Sequence, residues 1–112
     1  MICNHWQVAI VPFPFMEKPA VKRRPALVIS SKEFNSINHH TVMAMITSAS
    51  LDPWPSDYAI LNPIAAGLVA NCYVRWKIFT IPNQLIVRIA GDFEREDREA
   101  ITIQAGAIFV PA

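Results

Sequence analysis

Short apolar runs that end at prolines dominate this chain, and they favour strands over helices. The run VAIV at residues 8–11 ends at Pro12, and the run ALVI at residues 26–29 begins directly after Pro25. Short apolar runs rich in β-branched residues and bounded by turn formers are typical of buried strands. Because proline has no N–H group, the chain cannot continue as a central strand through Pro12. We therefore predict two strands joined by a segment that leaves the sheet.

Most of the remaining chain continues this pattern. The polar stretch 31–40 and the segment 49–57 are predicted to be loops, and residues 63–67 are predicted to form one helical turn that Gly67 closes. Further strands are predicted at residues 41–46, 58–61, 72–81 and 85–90, with 72–81 being either one long strand or two strands broken near Lys77. Gly91 should end the last of them.

The last twenty residues change to a helical period. Ala100, Ile101, Gln104, Ala105, Ile108 and Phe109 fall on one helical face. Acidic side chains precede this stripe, and they complement the positive end of a helix dipole. The pattern therefore predicts a mainly β fold, either a small antiparallel barrel or a twisted sheet, with one C-terminal α-helix packed on it.

The composition is that of one domain spanning residues 1–112, with an excess of apolar side chains. Apolar residues make up 53% of the chain and charged residues 17%. That balance is apolar for a small monomer, whose surface is large relative to its volume. We interpret the excess as a buried subunit interface and expect a homodimer. A hydrophobic core with apolar loops is the alternative interpretation.

The sequence indicates a soluble, cytoplasmic protein with no membrane partner. The N-terminal MICNHW has no cleavage-site pattern, and no apolar stretch approaches the ~20 residues that cross a bilayer. Cys3 and Cys72 lack the spacing of a disulfide framework and suit a reducing compartment, although pairing between them stays open.

Motifs of cofactor-dependent and metal-dependent enzymes are missing from the sequence. There is no phosphate-binding glycine loop, no paired CxxC and no HExxH. The histidines and cysteines do not have the spacing of a tetrahedral zinc site. We therefore expect no cofactor and no metal. His5, beside the first strand, is a candidate general acid or base, although a lone histidine near a strand end is usually structural.

Cations are concentrated before the second strand. Lys18, Lys22, Arg23 and Arg24 face only one acidic neighbour, Glu17, and such a segment suits an anionic ligand. Net charge is only +1, so any attraction for nucleic acid must be local.

If the second and third strands pair across residues 31–40, Arg24 and Thr47 meet at one end of the sheet. A guanidinium binds phosphate oxygens bidentately, and a hydroxyl can fix one more oxygen, so this pair suits phosphodiester cleavage without a metal. The same residues could instead cover a sheet edge and make an ordinary bond at a strand end. From the spacing alone, the structural interpretation is the favoured one.

Motifs along nearly the whole chain resemble the MazF/PemK family of bacterial toxin endoribonucleases. They are VPFPF (11–15), RRPALVIS (23–30), ITS (46–48), AAGL (65–68) and YVRWKIFTI (73–81), in this order before an acidic-start helix. RPALVIS followed by ITS is the most specific part. The resemblance implies a small SH3-like antiparallel barrel with a C-terminal helix and a homodimer. It also implies cleavage of single-stranded RNA without a metal, and a cognate antitoxin whose tail occupies the RNA groove.

The same resemblance suggests a role for individual residues. Arg24 and Thr47 match the catalytic arginine and threonine of the family. The 2′-hydroxyl of the substrate would attack the phosphorus and leave a cyclic phosphate and a free 5′-hydroxyl. The residues expected to bind RNA are Lys22, Arg23, Ser48, Arg75, Lys77 and Phe15.

Two departures from the family pattern keep alternatives open. Relatives usually open the first strand with Gly-Asp, where this chain has Trp6-Gln7. Many carry an acidic residue after the later arginine, where Trp76-Lys77 follows Arg75. The chain could therefore be a catalytically degenerate barrel that binds an antitoxin peptide or RNA. A toxin directed at DNA gyrase is the third hypothesis, because that activity occurs on the same barrel in a related family.

Overall fold

The computed structural model describes residues 1–12, 22–48 and 52–110 of the chain. Within them lie β1 (Gln7–Pro12), β2 (Arg23–Val28), α1 (Lys32–Asn38), β3 (His40–Ser48), β4 (Tyr58–Ala59), β5 (Cys72–Pro82), a 3-10 turn (Asn83–Leu85), β6 (Arg88–Asp92) and α2 (Arg95–Phe109). Phe15, Glu17 and Lys18 lie outside the described residues.

The six strands form one antiparallel sheet in the order β4-β5-β3-β2-β1-β6, curled into a half-barrel. This confirms the prediction of a mainly β fold with a C-terminal helix. Alternate side chains of each strand point to opposite faces, so the curled sheet has two apolar faces. On one face Val8, Leu27 and Ile46 pack with Ile101 of α2, and on the other Val11, Val28 and Met43 pack with Phe79.

The helix α1 replaces the loop that was predicted for residues 31–40, and that prediction was wrong. The Ser31 hydroxyl accepts a hydrogen bond from the Phe34 N–H at 3.1 Å and caps the helix, which ends at His39 in the left-handed conformation. Its one buried residue is polar: Asn35 donates to the carbonyl of Cys3 at 3.0 Å. A helix attached through an asparagine leaves no apolar period in the sequence.

The strand β5 is a single long strand with an irregularity in its pairing to β3. Ala44 pairs with Ile78 and Met45 with Arg75, so Trp76 and Lys77 are additional residues on β5. The last strand begins at Arg88, later than predicted, because residues 83–85 form the 3-10 turn. It also passes through Gly91 and ends at Asp92, so the predicted end at Gly91 was wrong.

Residues 63–67 form the predicted helical turn, closed by Gly67. The Leu68 N–H donates to the Pro63 carbonyl at 2.9 Å, and the Gly67 N–H donates to the Ile64 carbonyl at 2.9 Å. Gly67 has a φ of 76°, and a Cβ there would lie 2.1 Å from the Ala90 oxygen. The turn therefore packs directly on the backbone of β6, which only a glycine permits.

Neither α1 nor α2 is long and apolar enough to span a membrane, and the described chain has no other α-helix. Both cysteines are free thiols. Cys3 is fully buried and Cys72 is half-buried.

Replacing Gly106 or Gly67 by alanine should change stability in opposite directions. Gly106 lies within α2, and a Cβ there would meet nothing within 4 Å, so Gly106→Ala should raise the free energy of unfolding by about 0.5–1 kcal/mol. Gly67→Ala should lower it by roughly 2–4 kcal/mol through backbone strain and overpacking against Ala90. Urea unfolding of both variants measures this, and an unchanged midpoint for Gly67→Ala would contradict the packing described.

Candidate functional site

A cleft of about 630 Å³ opens where the ends of β2 and β3 meet the segment 67–70 and β6. Its polar lining includes three cations and two hydroxyls: Arg24, Thr47, Ser48, Lys77 and Arg88. No aspartate, glutamate or histidine is among the described residues that line it. The cleft is therefore positively charged, as an anionic ligand requires.

Strand pairing brings Arg24 and Thr47 together. In the predicted antiparallel pairing of β2 with β3, which the structure confirms, Ala26 lies opposite Met45. The pairing ends there, and Arg24 and Thr47, each two residues beyond this pair, both line the cleft. The Thr47 hydroxyl donates to the Ser48 carbonyl at 3.2 Å, and the Arg24 side chain is exposed. Lys22 and Arg23 are exposed just before it, but neither lines the cleft.

Residues 67–70 form another wall of the cleft. A buried carboxylate binds residues 58–62, which lead towards that wall. Asp97 of α2 is fully buried. One of its oxygens accepts from the Tyr58 hydroxyl at 2.5 Å and the Leu61 N–H at 2.9 Å, and the other accepts from the Asn62 N–H at 3.0 Å. Burial, together with the hydrogen bond to Asp97, raises the pKa of Tyr58, so its hydroxyl remains a donor.

Two further cations line the cleft, one from β5 and one from β6. Lys77 belongs to the irregular part of β5, and Arg88 begins β6, opposite Ile10 of β1. Lys77 was predicted to bind RNA, but Arg88 was missed. Its position in a short apolar run indicated only a strand, and the sheet order is needed to place β6 next to β1. Cys72 also lines the cleft, and burial raises the pKa of its thiol.

Arg75 lies outside the cleft lining and is held by an ion pair. Its Nε and one terminal nitrogen donate to the two carboxylate oxygens of Asp57 at 3.0 Å and 2.7 Å. The guanidinium also lies 5.3 Å from the ring centroid of Trp54 and donates to the Asp52 carbonyl at 3.3 Å. The hydrogen bond from Arg75 is the main reason that the pKa of Asp57 falls below its usual range. That Arg75 binds RNA stays a prediction.

His5 lines a second, smaller cavity of about 180 Å³ beside α2, apart from Arg24 and Thr47. Its ring stacks on Trp6 with centroids 3.9 Å apart. Burial, and secondarily the charge of Arg98, lowers the pKa of His5. Trp76 lines the same cavity and is buried, donating from its indole nitrogen to Gln104 at 2.9 Å. Acid or base catalysis by His5 stays a prediction.

Across residues 1–12, 22–48 and 52–110, no group of three or more histidine, cysteine, aspartate or glutamate side chains could hold a metal ion.

Residues 4–109 match the sequence profile of the PemK-like, MazF-like toxins of type II toxin–antitoxin systems. The chain belongs to this family. No curated protein sequence matches the chain significantly.

Solved structures of MazF toxins share the fold. MazE–MazF from Deinococcus radiodurans superposes with a TM-score of 0.78 at 12% identity and covers all of both chains. An endoribonuclease in complex with its cognate antitoxin from a mycobacterial species gives 0.72 at 18% identity, over 99% of this chain and 97% of that one. The Mycobacterium tuberculosis toxin MazF-mt6 gives 0.71 at 18% identity, over 92% and 95%.

Trp6 has a backbone conformation that favours glycine. Its φ is 76°, in the left-handed region. Its N–H donates to the Val28 carbonyl at 3.1 Å, and its carbonyl accepts from the Phe93 N–H at 2.9 Å. These two bonds hold the tryptophan backbone between β2 and the chain that enters α2.

The ion pair of Asp57 with Arg75 should make the free energy of unfolding depend on pH in the acidic range. The pKa of Asp57 is lower in the folded chain than in the unfolded chain, so its stabilising contribution is present above the unfolded pKa of about 4 and is lost as pH falls through the folded pKa. Asp57→Asn should therefore unfold more easily than the wild type at pH 6, and the difference should shrink below about pH 4. Thermal unfolding across pH 2.5–7 measures it, and a pH-independent difference would contradict this origin.

Proposed function

We propose that this chain is the toxin of a type II toxin–antitoxin system and cleaves single-stranded RNA without a metal. The observation that carries the proposal is that the Arg24 guanidinium and the Thr47 hydroxyl both line one cationic cleft. Membership of the MazF/PemK family supports it, since the mycobacterial protein with the same fold is described as an endoribonuclease.

In the proposed reaction, the 2′-hydroxyl of the scissile nucleotide attacks the adjacent phosphorus. A bond forms between the 2′-oxygen and phosphorus as the bond from phosphorus to the 5′-oxygen breaks. The products are a 2′,3′-cyclic phosphate and a free 5′-hydroxyl. In this proposal, solvent takes the proton of the 2′-hydroxyl and supplies one to the leaving oxygen.

Arg24 and Thr47 have different tasks in this reaction. Arg24 stabilises the negative charge that develops on the non-bridging oxygens, since a guanidinium stays charged and can bind two oxygens at once. Thr47 and Ser48 hold one phosphate oxygen so that the 2′-oxygen, phosphorus and 5′-oxygen are in line.

Single-stranded RNA is the proposed substrate because unpaired bases can stack on side chains while cations hold the backbone. Lys22, Arg23, Lys77 and Arg75 supply the cations. Phe15 supplies a stacking surface.

The proposal includes a cognate antitoxin and a homodimer in the cytoplasm. Structures with the same fold include a MazE–MazF complex and a toxin with its cognate antitoxin. An anionic, extended segment of an antitoxin would occupy the cationic cleft and exclude RNA. Exposed apolar side chains such as Leu61, Ile64 and Val69 provide surface for a second subunit.

A barrel that binds RNA or an antitoxin without cleaving is the second candidate. The charged side chains in the described lining of the cleft favour it, since Arg24, Lys77 and Arg88 are cations, which bind phosphate but are poor general bases. In that case RNA would be retained intact.

Cleavage of a long single-stranded RNA in excess EDTA distinguishes the two candidates. The wild type should give site-selective fragments with 5′-hydroxyl ends. Arg24→Ala and Thr47→Ala should each slow cleavage by about 10²–10³-fold, the usual cost of losing one transition-state donor. Arg24→Lys should stay slow because it loses the bidentate contact, and Thr47→Ser should recover most of the rate.

Matched control variants distinguish the loss of a group in the cleft from a general change in surface charge or folding. Arg95→Ala removes one cation from the exposed surface of α2, and Thr80→Ala removes one exposed hydroxyl from β5. Both should cleave at the wild-type rate. Binding of intact RNA by a folded wild type that never cleaves it would favour the second candidate.

A further inference from the structure

Tyr73 of β5 lies opposite Thr47 of β3 in the antiparallel register of the sheet. Side chains of directly opposed residues in an antiparallel pair point to the same face, with Cβ atoms about 4.5–5.5 Å apart. Ala26 and Met45 form another pair of this face. Side chains two residues apart on a strand share a face, so Arg24 and Thr47 belong to it as well. The Tyr73 ring therefore lies next to the hydroxyl that is proposed to hold the scissile phosphate.

The strand neighbours of Tyr73 on this face have small side chains or side chains bound elsewhere. On β4, the residue opposite Tyr73 is Ala59, which is exposed. On β3, the opposite residue is Thr47. Along β5, the next side chain on the face is Arg75, whose guanidinium donates to the carboxylate of Asp57. No large apolar side chain therefore lies directly opposite the tyrosine ring on either neighbouring strand.

The two tyrosines of the chain have different surroundings. Tyr58 packs against the apolar cluster that contains Ile101 of α2, and its hydroxyl donates to Asp97. Tyr73 is half-buried, and it belongs to neither of the two apolar clusters of the described chain. Packing of the core therefore accounts for Tyr58, whereas it does not account for an aromatic side chain at position 73.

An aromatic ring beside a phosphate-binding group suits a nucleobase. In complexes with single-stranded nucleic acid, cations hold the phosphates while aromatic side chains stack on unpaired bases. Arg24 and Thr47 supply the proposed phosphate site, and the nearest bases are those of the two nucleotides that this phosphate joins. The position of Tyr73 beside Thr47 therefore suits one of these two bases.

We propose that Tyr73 stacks on the base of a nucleotide joined to the scissile phosphate. The inference rests on the proposed RNA substrate and adds a binding residue for that same site. Because every base has an aromatic face, the contact fixes the position of the nucleotide without selecting its identity. A nucleotide held in this way has its sugar and phosphate fixed relative to Thr47, as attack by the 2′-hydroxyl requires.

Combined changes in the protein and in the ligand test this contact. The probe is a single-stranded oligonucleotide that contains the cleaved sequence and has 2′-deoxyribose throughout, so that no 2′-hydroxyl can attack. Removing one base next to the scissile phosphate should weaken wild-type binding by roughly 5- to 150-fold, the usual range for a base stacked on an aromatic side chain. Tyr73→Leu should weaken binding of the intact probe by a similar factor, and removing the same base should then have no further effect.

Matched variants show whether the loss belongs to the stacked ring. Tyr73→Phe keeps an aromatic ring and should bind like the wild type. Phe34→Leu removes an exposed aromatic ring from α1, at the other end of β2, and should also bind like the wild type. Because the effect of base removal is measured within each variant, a lower stability of Tyr73→Leu cannot imitate the loss of this effect. Equal effects of base removal in the wild type and in Tyr73→Leu would overturn the proposal.

A crosslinking measurement does not require the cleaved sequence to be known. The probe is single-stranded DNA of mixed sequence that carries 5-iodouracil, a base that on irradiation forms a covalent bond to an aromatic side chain stacked on it. The peptide that contains Tyr73 should carry a crosslink, and Tyr73→Leu should lose it. A wild-type chain without a crosslink at Tyr73 would contradict the proposal.

These outcomes are separate from those of the cleavage experiment. RNA cleavage that depends on Arg24 and Thr47, with equal effects of base removal in the wild type and Tyr73→Leu, would refute the base contact and leave the proposed activity standing. A crosslink at Tyr73 in a chain that never cleaves RNA would refute the activity and support the base contact.

Discussion

The buried carboxylate of Asp97 joins the C-terminal helix to the chain that forms one wall of the cleft. A carboxylate removed from water is costly unless hydrogen bonds satisfy it, and Asp97 accepts three. Its position in the first turn of α2 adds the favourable field of the helix dipole. Because the bonded segment leads directly into the turn closed by Gly67, the position of the facing wall relative to Arg24 depends on how α2 packs. The amphipathic helix therefore helps to position one wall of a cleft to which none of its described residues contributes.

The elements that could be predicted are those whose buried side chains recur at a regular spacing in the sequence. Prolines and β-branched runs marked β1 and β2, and the apolar stripe marked α2, because these elements pack through side chains that recur at a fixed period. The helix α1 had no such stripe, since the side chain that attaches it is Asn35. The capping serine was visible in the sequence, but a seven-residue helix with one buried polar residue cannot be separated from a loop by periodicity.

The part of the site that could be predicted is the part that depends on the pairing of β2 with β3. Arg24 and Thr47 follow from the pairing of two strands that are adjacent in sequence, a local argument that needs no sheet order. Arg88 comes from β6, which pairs with β1 at the far edge of the sheet, and sequence alone did not give that neighbour. The different positions of Arg75 and Lys77 depend on the irregular pairing of β5, which moves Lys77 into the cleft lining while Arg75 pairs with Asp57.

The cations that line the cleft affect ligand binding and proton transfer in different ways. Lys77 follows Trp76 on β5 and lines the cleft. A cation at such a position strengthens the attraction for phosphates, but unlike a carboxylate it does not accept a proton. Catalysis would then depend on how well Arg24 stabilises the charge that develops on the phosphate. The affinity for RNA would depend on all the cations that line the cleft, including Lys77 and Arg88. An anionic antitoxin segment would compete for those same cations, so tight inhibition and RNA binding would depend on one set of charges, and catalysis on Arg24 and Thr47.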